Sequence, residues 1–140
     1  MDEKDKLLIT LLRKDARQPI VALARDLGLS RSATQDRLAK LVTNGAIARF
    51  TIVEGTASEG RQTAHFLIAL EKGFRCAQIV PKLRKLTAVT TIHSIAGPHD
   101  ILLRADAADM TSIEATRAAI AATPGVAEVS TLITLEPHAG

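Results

Sequence analysis

The chain has 140 residues, 46% of them hydrophobic, with a net charge of only +3, which allows one moderate core or two small ones and excludes a disordered or disulfide-stapled protein. No apolar run approaches membrane-spanning length, and the start MDEKDK lacks the cationic-then-apolar order of a signal peptide, so no membrane partner and a cytoplasmic location are expected. The single Cys76 can form neither an internal disulfide nor a Cys-rich metal site and is expected as a small buried hydrophobe; no cofactor is expected.

Leu7, Leu8, Leu11 and Leu12 supply a first helix that closes a small core. Pro19 can then open a second helix at no hydrogen-bond cost, and Ile20, Leu23, Ala24 and Leu27 follow at i, i+3, i+4 and i+7 as one apolar stripe. Gly28 ends it. Leu29 fills the corner, and Ser30 has the side-chain oxygen an N-cap needs, so a third helix is expected to begin at about Arg31. Thr34, Leu38, Leu41 and Val42 can face inward, which leaves Arg31, Ser32, Gln35, Asp36, Ala39 and Lys40 outward and Arg37 at the margin. Asn44 and Gly45 suit a left-handed helix exit. Ile47 to Val53 then has the pattern of a short strand carrying Arg49, the layout of a winged helix-turn-helix.

Any small helical bundle shows such stripes, but here the charge is placed with the motif. Residues 1–62 hold 11 basic and 8 acidic side chains, whereas residues 63–140 hold 7 of each. Elbow, cap and charge therefore agree on double-stranded DNA as a partner, with Ser30, Arg31, Ser32, Gln35, Asp36, Arg37, Lys40 and Arg49 as the candidate contacts.

The domain from 1–53 is followed by a polar stretch with two glycines over 54–62, expected as a linker, and by a second domain over 63–140. That domain alternates strand and helix signals: AHFLIALE, a helix over about 77–86, AVTTIHSIA, a GPHD turn, ILLRAD, a helix over about 109–121, and VAEVSTLITLE. The order β-α-β-β-α-β is the split arrangement of a ferredoxin-like fold, so the chain as a whole is expected to be α+β. Pro81 is expected early in its helix, since deeper inside it removes a hydrogen bond. Thr123, Pro124 and Gly125 stop the last helix.

Two helices cover only one face of a four-stranded sheet, yet these strands are apolar on both sides. The first places Phe66, Ile68 and Leu70 on one side with Leu67 and Ala69 on the other; the last places Val129, Ile133 and Leu135 against Val126 and Leu132. A second subunit around a two-fold axis is the simplest cover, and it would also pair two DNA-reading helices.

The segments DKLLITLLRKDAR, LARDLGLSRSATQDRLAKLVTNGAI, GPHD followed by ILLRA, and PGV before the last strand together resemble the Lrp/AsnC, or feast/famine, family of transcriptional regulators over nearly the whole chain. The resemblance implies a winged helix-turn-helix, a ferredoxin-like effector and assembly domain, dimers that often gather into octamers, and amino acids or related metabolites as effectors. It points to Gly97, His99 and Asp100 as the effector loop, with Thr131 as a further candidate; a plain tight turn at 97–100 is the alternative. The chain departs from the family at three places. Pro98 removes a backbone N–H, His99 stands where an aromatic such as Tyr is frequent, and Asp36 where a basic residue is common. Two other classes compete: a sirohaem-decarboxylase-like enzyme on the same architecture, and a DNA-organising protein without effector. The former generally relies on aromatic residues, and this chain has no Trp or Tyr; His65, His93, His99 and His138 form no close ligand pair by spacing.

Overall fold

A computed structural model describes residues 1–53, 60–136 and 138, and it divides into two compact units, Met1–Val53 and Glu54–Gly140. Most of the expected 54–62 linker therefore lies outside the described residues, and its last position, Gln62, already belongs to the first strand.

The first unit contains α1 (Glu3–Lys14), α2 (Ile20–Leu27) and α3 (Arg31–Thr43). Leu8, Leu12, Leu23, Leu27 and Leu41 form its core, with Leu11, Ile20, Leu29, Leu38 and Ile47 packed around them. Leu7 and Val42, both expected inward, are exposed. A helix presents one stripe about 100° wide, and Leu8 with Leu12 and Thr34 with Leu41 already occupy it. Pro19 is the N-cap of α2 rather than its first residue, and Gly28 closes the helix in the left-handed conformation, φ +63°. Gly45, φ +78°, does the same after α3, where Ile47 N–H reaches Leu41 O at 2.8 Å.

The wing strand expected over Ile47 to Val53 is not formed. A strand needs a ladder partner for its N–H and C=O groups, and this unit holds no second strand among the described residues. Only Ile47 is retained by the core, while Phe50, Ile52 and Val53 are exposed. The unit is a three-helix helix-turn-helix.

The second unit follows the expected order, with β1 (Gln62–Leu70), α4 (Cys76–Leu83), β2 (Val89–Ser94), β3 (Ile101–Ala107), α5 (Met110–Ala121) and β4 (Val126–Ile133). The strands form one antiparallel sheet in the order β2-β3-β1-β4. Phe66, Ile68, Leu103 and Ala105 point to the helices and pack with Ile79, Leu83, Ile113 and Ile120. Asp109 caps α5 by accepting from Ser112 N–H at 2.7 Å.

Four sequence expectations change here. Pro81 is the sixth residue of the eight-residue α4, not an early one. The carbonyl deprived of its donor belongs to Ala77, and both residues are exposed, so water can replace the missing N–H. Val126 joins the helix-facing core instead of opposing Val129, because a register shift between Ala69 and Leu70 pairs Leu70 with Val126 and skips a residue. Leu135 lies beyond the strand and is exposed. Cys76, expected buried, is half-buried at the start of α4.

Candidate nucleic-acid interface and effector loop

The elbow between α2 and α3 is built by a few hydrogen bonds. Ser30 Oγ accepts from Ala33 N–H at 3.2 Å, and the fully buried Thr34 returns its hydroxyl to Ser30 O at 2.9 Å. Leu29 N–H bonds Ala24 O at 2.9 Å, which fixes the corner. Lys4, from α1, donates to Leu27 O at 2.7 Å and so places a cation at the negative end of α2. No spacing in the sequence announces that last contact.

With Thr34 and Leu41 buried, Arg31, Ser32, Gln35, Asp36 and Lys40 all stand exposed along the opposite side of α3. They are hydrogen-bonders and charges at the N-terminal and middle turns, where a helix can present side chains to base edges and phosphates. Ser30 is exposed at the cap, its hydroxyl 3.2 Å from that of Ser32. Arg49 is exposed on the irregular segment after the helix, not in a strand.

Arg37 differs from the other candidates. It is half-buried and turned toward α1, where its Nη1 lies 2.6 Å from Asp2 Oδ2 and 2.7 Å from Asp5 Oδ1. Asp2 and Asp5 also close a reciprocal capping box at the start of α1, each accepting from the other's backbone N–H at 2.9 Å. The Asp5 N–H first, and the Arg37 guanidinium second, hold the Asp2 carboxyl below the usual carboxylate range; Asp5 is lowered by the Asp2 N–H and then by Arg37. The two carboxylates in turn raise the pKa of Arg37. Neither aspartate was singled out from sequence, although an acidic pair three apart before an apolar helix is a capping signal.

In the second unit, residues 95–100 join β2 to β3. Ile95 N–H bonds Asp100 O, Asp100 N–H bonds Ile68 O, both at 2.9 Å, and the Asp100 carboxylate accepts from Leu70 N–H at 2.8 Å through Oδ2. Cys76 Sγ–H points to Asp100 O at 3.6 Å. Asp100 thus ties the loop to the end of β1, where the ladder with β3 stops at Ile68 and Ile101. Gly97, φ +137°, needs its glycine for backbone reasons; it is exposed, and His99 is half-buried beside it. Thr131 pairs with Phe66 on β4, with β1 between it and β3. Within one chain the loop brings Gly97, His99 and Asp100 together and leaves Thr131 apart.

The structural role of Asp100 has a measurable consequence. Asp100→Ala is expected to cost about 0.5–1.5 kcal/mol, the ordinary worth of one hydrogen bond, whereas Asp100→Asn keeps an acceptor for Leu70 N–H and most of that stability. Urea unfolding of the two variants checks it; equal losses would mean that charge, not the bond to Leu70, is what the fold uses.

Residues 63–139 match the Lrp/AsnC ligand binding domain, and residues 1–42 match the AsnC-type helix-turn-helix domain. The chain belongs to the Lrp/AsnC family of transcriptional regulators. It is 30% identical over 135 residues to the HTH-type transcriptional regulator LysM of Saccharolobus solfataricus, covering 96% of this chain and 94% of that one. Against the regulator FL11 of Pyrococcus abyssi the identity is 25% over 138 residues, with 99% and 91% covered. Its fold is shared with the leucine response regulatory protein LrpA of Mycobacterium tuberculosis (TM-score 0.86, 23% identity, 100% and 96% covered). The transcriptional regulator NMB0573 of Neisseria meningitidis, solved with L-Met, is equally similar in fold (TM-score 0.87, 20% identity, 100% and 93% covered).

Proposed function

We propose that this Lrp/AsnC regulator binds a specific double-stranded DNA site as a homodimer in the cytoplasm and responds to a free amino acid held at the 97–100 loop. The observation that carries the DNA reading is the outer side of α3, where Arg31, Ser32, Gln35, Asp36 and Lys40 are exposed on a helix anchored by Ser30 and Thr34. Relatives bear regulator names, and we infer a non-enzymatic role.

The dimer is supported by the sheet face that the helices leave open. Leu67, Ala69 and Leu102 are half-buried there and Leu132 is 50% exposed, an apolar strip bordered by His65, His93 and Arg104. For the effector, Asp100 Oδ1 is positioned beside the bonded Oδ2 and can pair with an amino group, while Pro98 reduces the N–H groups left for a carboxylate. The structural neighbour solved with L-Met supports the same ligand class. Such a ligand acts only through its differential affinity for two assembly states. Calorimetric titration of the full chain with a panel of amino acids, repeated on Asp100→Asn, tests the loop: heat that is lost in the variant places the amine there, and heat that persists unchanged places the ligand elsewhere.

Gln35→Ala is expected to relax base preference at one position of each half-site, worth about 1–3 kcal/mol of discrimination. Lys40→Ala is expected to weaken binding to all sequences and to lower the salt slope by about 0.9. Fluorescence anisotropy with operator and mixed-sequence duplexes at several salt concentrations measures both. A ratio of specific to nonspecific affinity near one would identify a DNA-organising protein instead.

A further inference from the structure

The four carboxylate oxygens of Asp2 and Asp5 are divided between two tasks. Asp2 Oδ1 and Asp5 Oδ2 accept the reciprocal backbone N–H groups at the start of α1, and Asp2 Oδ2 and Asp5 Oδ1 converge on Arg37 Nη1. An exposed ion pair is ordinarily weak, because two long side chains must be ordered to make it. Here the helix cap has already ordered both carboxylates, and the α1 N-terminus favours their negative charge. Arg37 is therefore held by two pre-placed acceptors, and the cluster carries a net negative charge next to a helix meant for polyanionic DNA. Among the described residues, Arg31 and Lys40 on the same helix have no ion-pair partner.

A solvent-open cleft of about 490 Å³ lies beside the cluster, lined by Asp2, Asp5, Asp36, Arg37 and Lys40. It gives a released Arg37 side chain room to turn toward Lys40 and the outer side of α3. We propose that Asp2 and Asp5 withhold Arg37 from DNA, making it a positioning residue that seats α3 on α1 and leaving nonspecific affinity lower than the basic count of α3 implies. The proposal rests on α3 being the DNA-reading helix.

The test uses the full chain and a 40-base-pair mixed-sequence duplex, with affinity measured from low to moderate salt. Lys40→Ala is the control for the reading of α3 and should lower the salt slope by about 0.9. Arg37→Met should leave the slope within about 0.2 of the unsubstituted protein, since no phosphate contact is lost. Asp2→Asn/Asp5→Asn should raise the slope by about 0.9 and the affinity several-fold, and adding Arg37→Met to that pair should return the slope to its starting value. If Arg37→Met destabilises the unit by circular dichroism, Arg37→Gln, which removes the charge but keeps a polar side chain, replaces it in both backgrounds. A slope lowered by Arg37→Met or Arg37→Gln as much as by Lys40→Ala overturns the proposal. So does a gain from the double asparagine variant that is the same with and without Arg37. A slope unmoved by Lys40→Ala overturns the reading of α3 itself.

Discussion

Leu67→Asp is expected to leave a folded monomer whose operator affinity is lower by about 100-fold or more. Leu67 lies on the sheet face opposite the helices, between Leu102 on β3 and Ser130 on β4. A carboxylate placed there meets water in the monomer at little cost, but in a sheet-to-sheet dimer it would be buried without a partner. In the proposed dimer, loss of assembly would uncouple the two half-sites, and joined binding events commonly gain 10²–10⁴ in affinity over separate ones. Sedimentation velocity at micromolar concentration reads the assembly, and anisotropy reads the DNA. The neighbouring residue provides the contrast. Phe66 is fully buried against α4 and α5, so Phe66→Asp should abolish folding rather than assembly. A Leu67→Asp protein that remains dimeric with full affinity would remove this face from the interface.

Gly125→Ala is expected to be the most damaging single-methyl change in the second unit. Gly125 has φ +96°, a conformation that costs a residue with a Cβ about 1–3 kcal/mol. Its carbonyl accepts from Glu71 N–H at 2.8 Å, and the Phe74 ring lies directly over its Cα, where an added methyl would collide with the ring. The backbone strain and the collision can be separated. In a Phe74→Ala background the collision disappears and only the φ penalty remains, so Gly125→Ala should cost less there, by a coupling within the 0.5–3 kcal/mol typical of touching residues. Thermal and urea unfolding of the four proteins measures the cycle. Zero coupling would show that the ring moves aside without cost and that φ alone demands glycine.

Much of the architecture was legible from local patterns, because local physics determines those elements. The stripe Ile20–Leu23–Ala24–Leu27, the Gly28 exit, the Ser30 cap and the alternation over β1 each follow from one or two turns of chain. The order of strands and helices in the second unit follows as well, since each element announces itself by its own period. The wing strand and the facing of Val126 failed because each depends on a partner elsewhere in the chain. Ile47 to Val53 has strand composition, but composition cannot supply a ladder partner, and the unit offers none among the described residues. The shift beside Leu70 turned Val126 inward because pairing register is a property of two strands, not one.

The candidate site divides along the same line. The exposure of Arg31, Ser32, Gln35, Asp36 and Lys40 follows from helical periodicity around buried Thr34 and Leu41, so the sequence alone determined it. The same periodicity put Arg37 at the margin, where either solvent or α1 can claim a long side chain. Only the packing of α1 against α3 decided for Asp2 and Asp5, which are more than thirty positions away. Asp100 was likewise marked by its turn, yet its bond to Leu70 N–H depends on β1 lying beside β3. Periodicity determines which side of an element a residue occupies; only tertiary contact decides what a polar group on that side is bonded to, because the partner's position is encoded elsewhere in the chain.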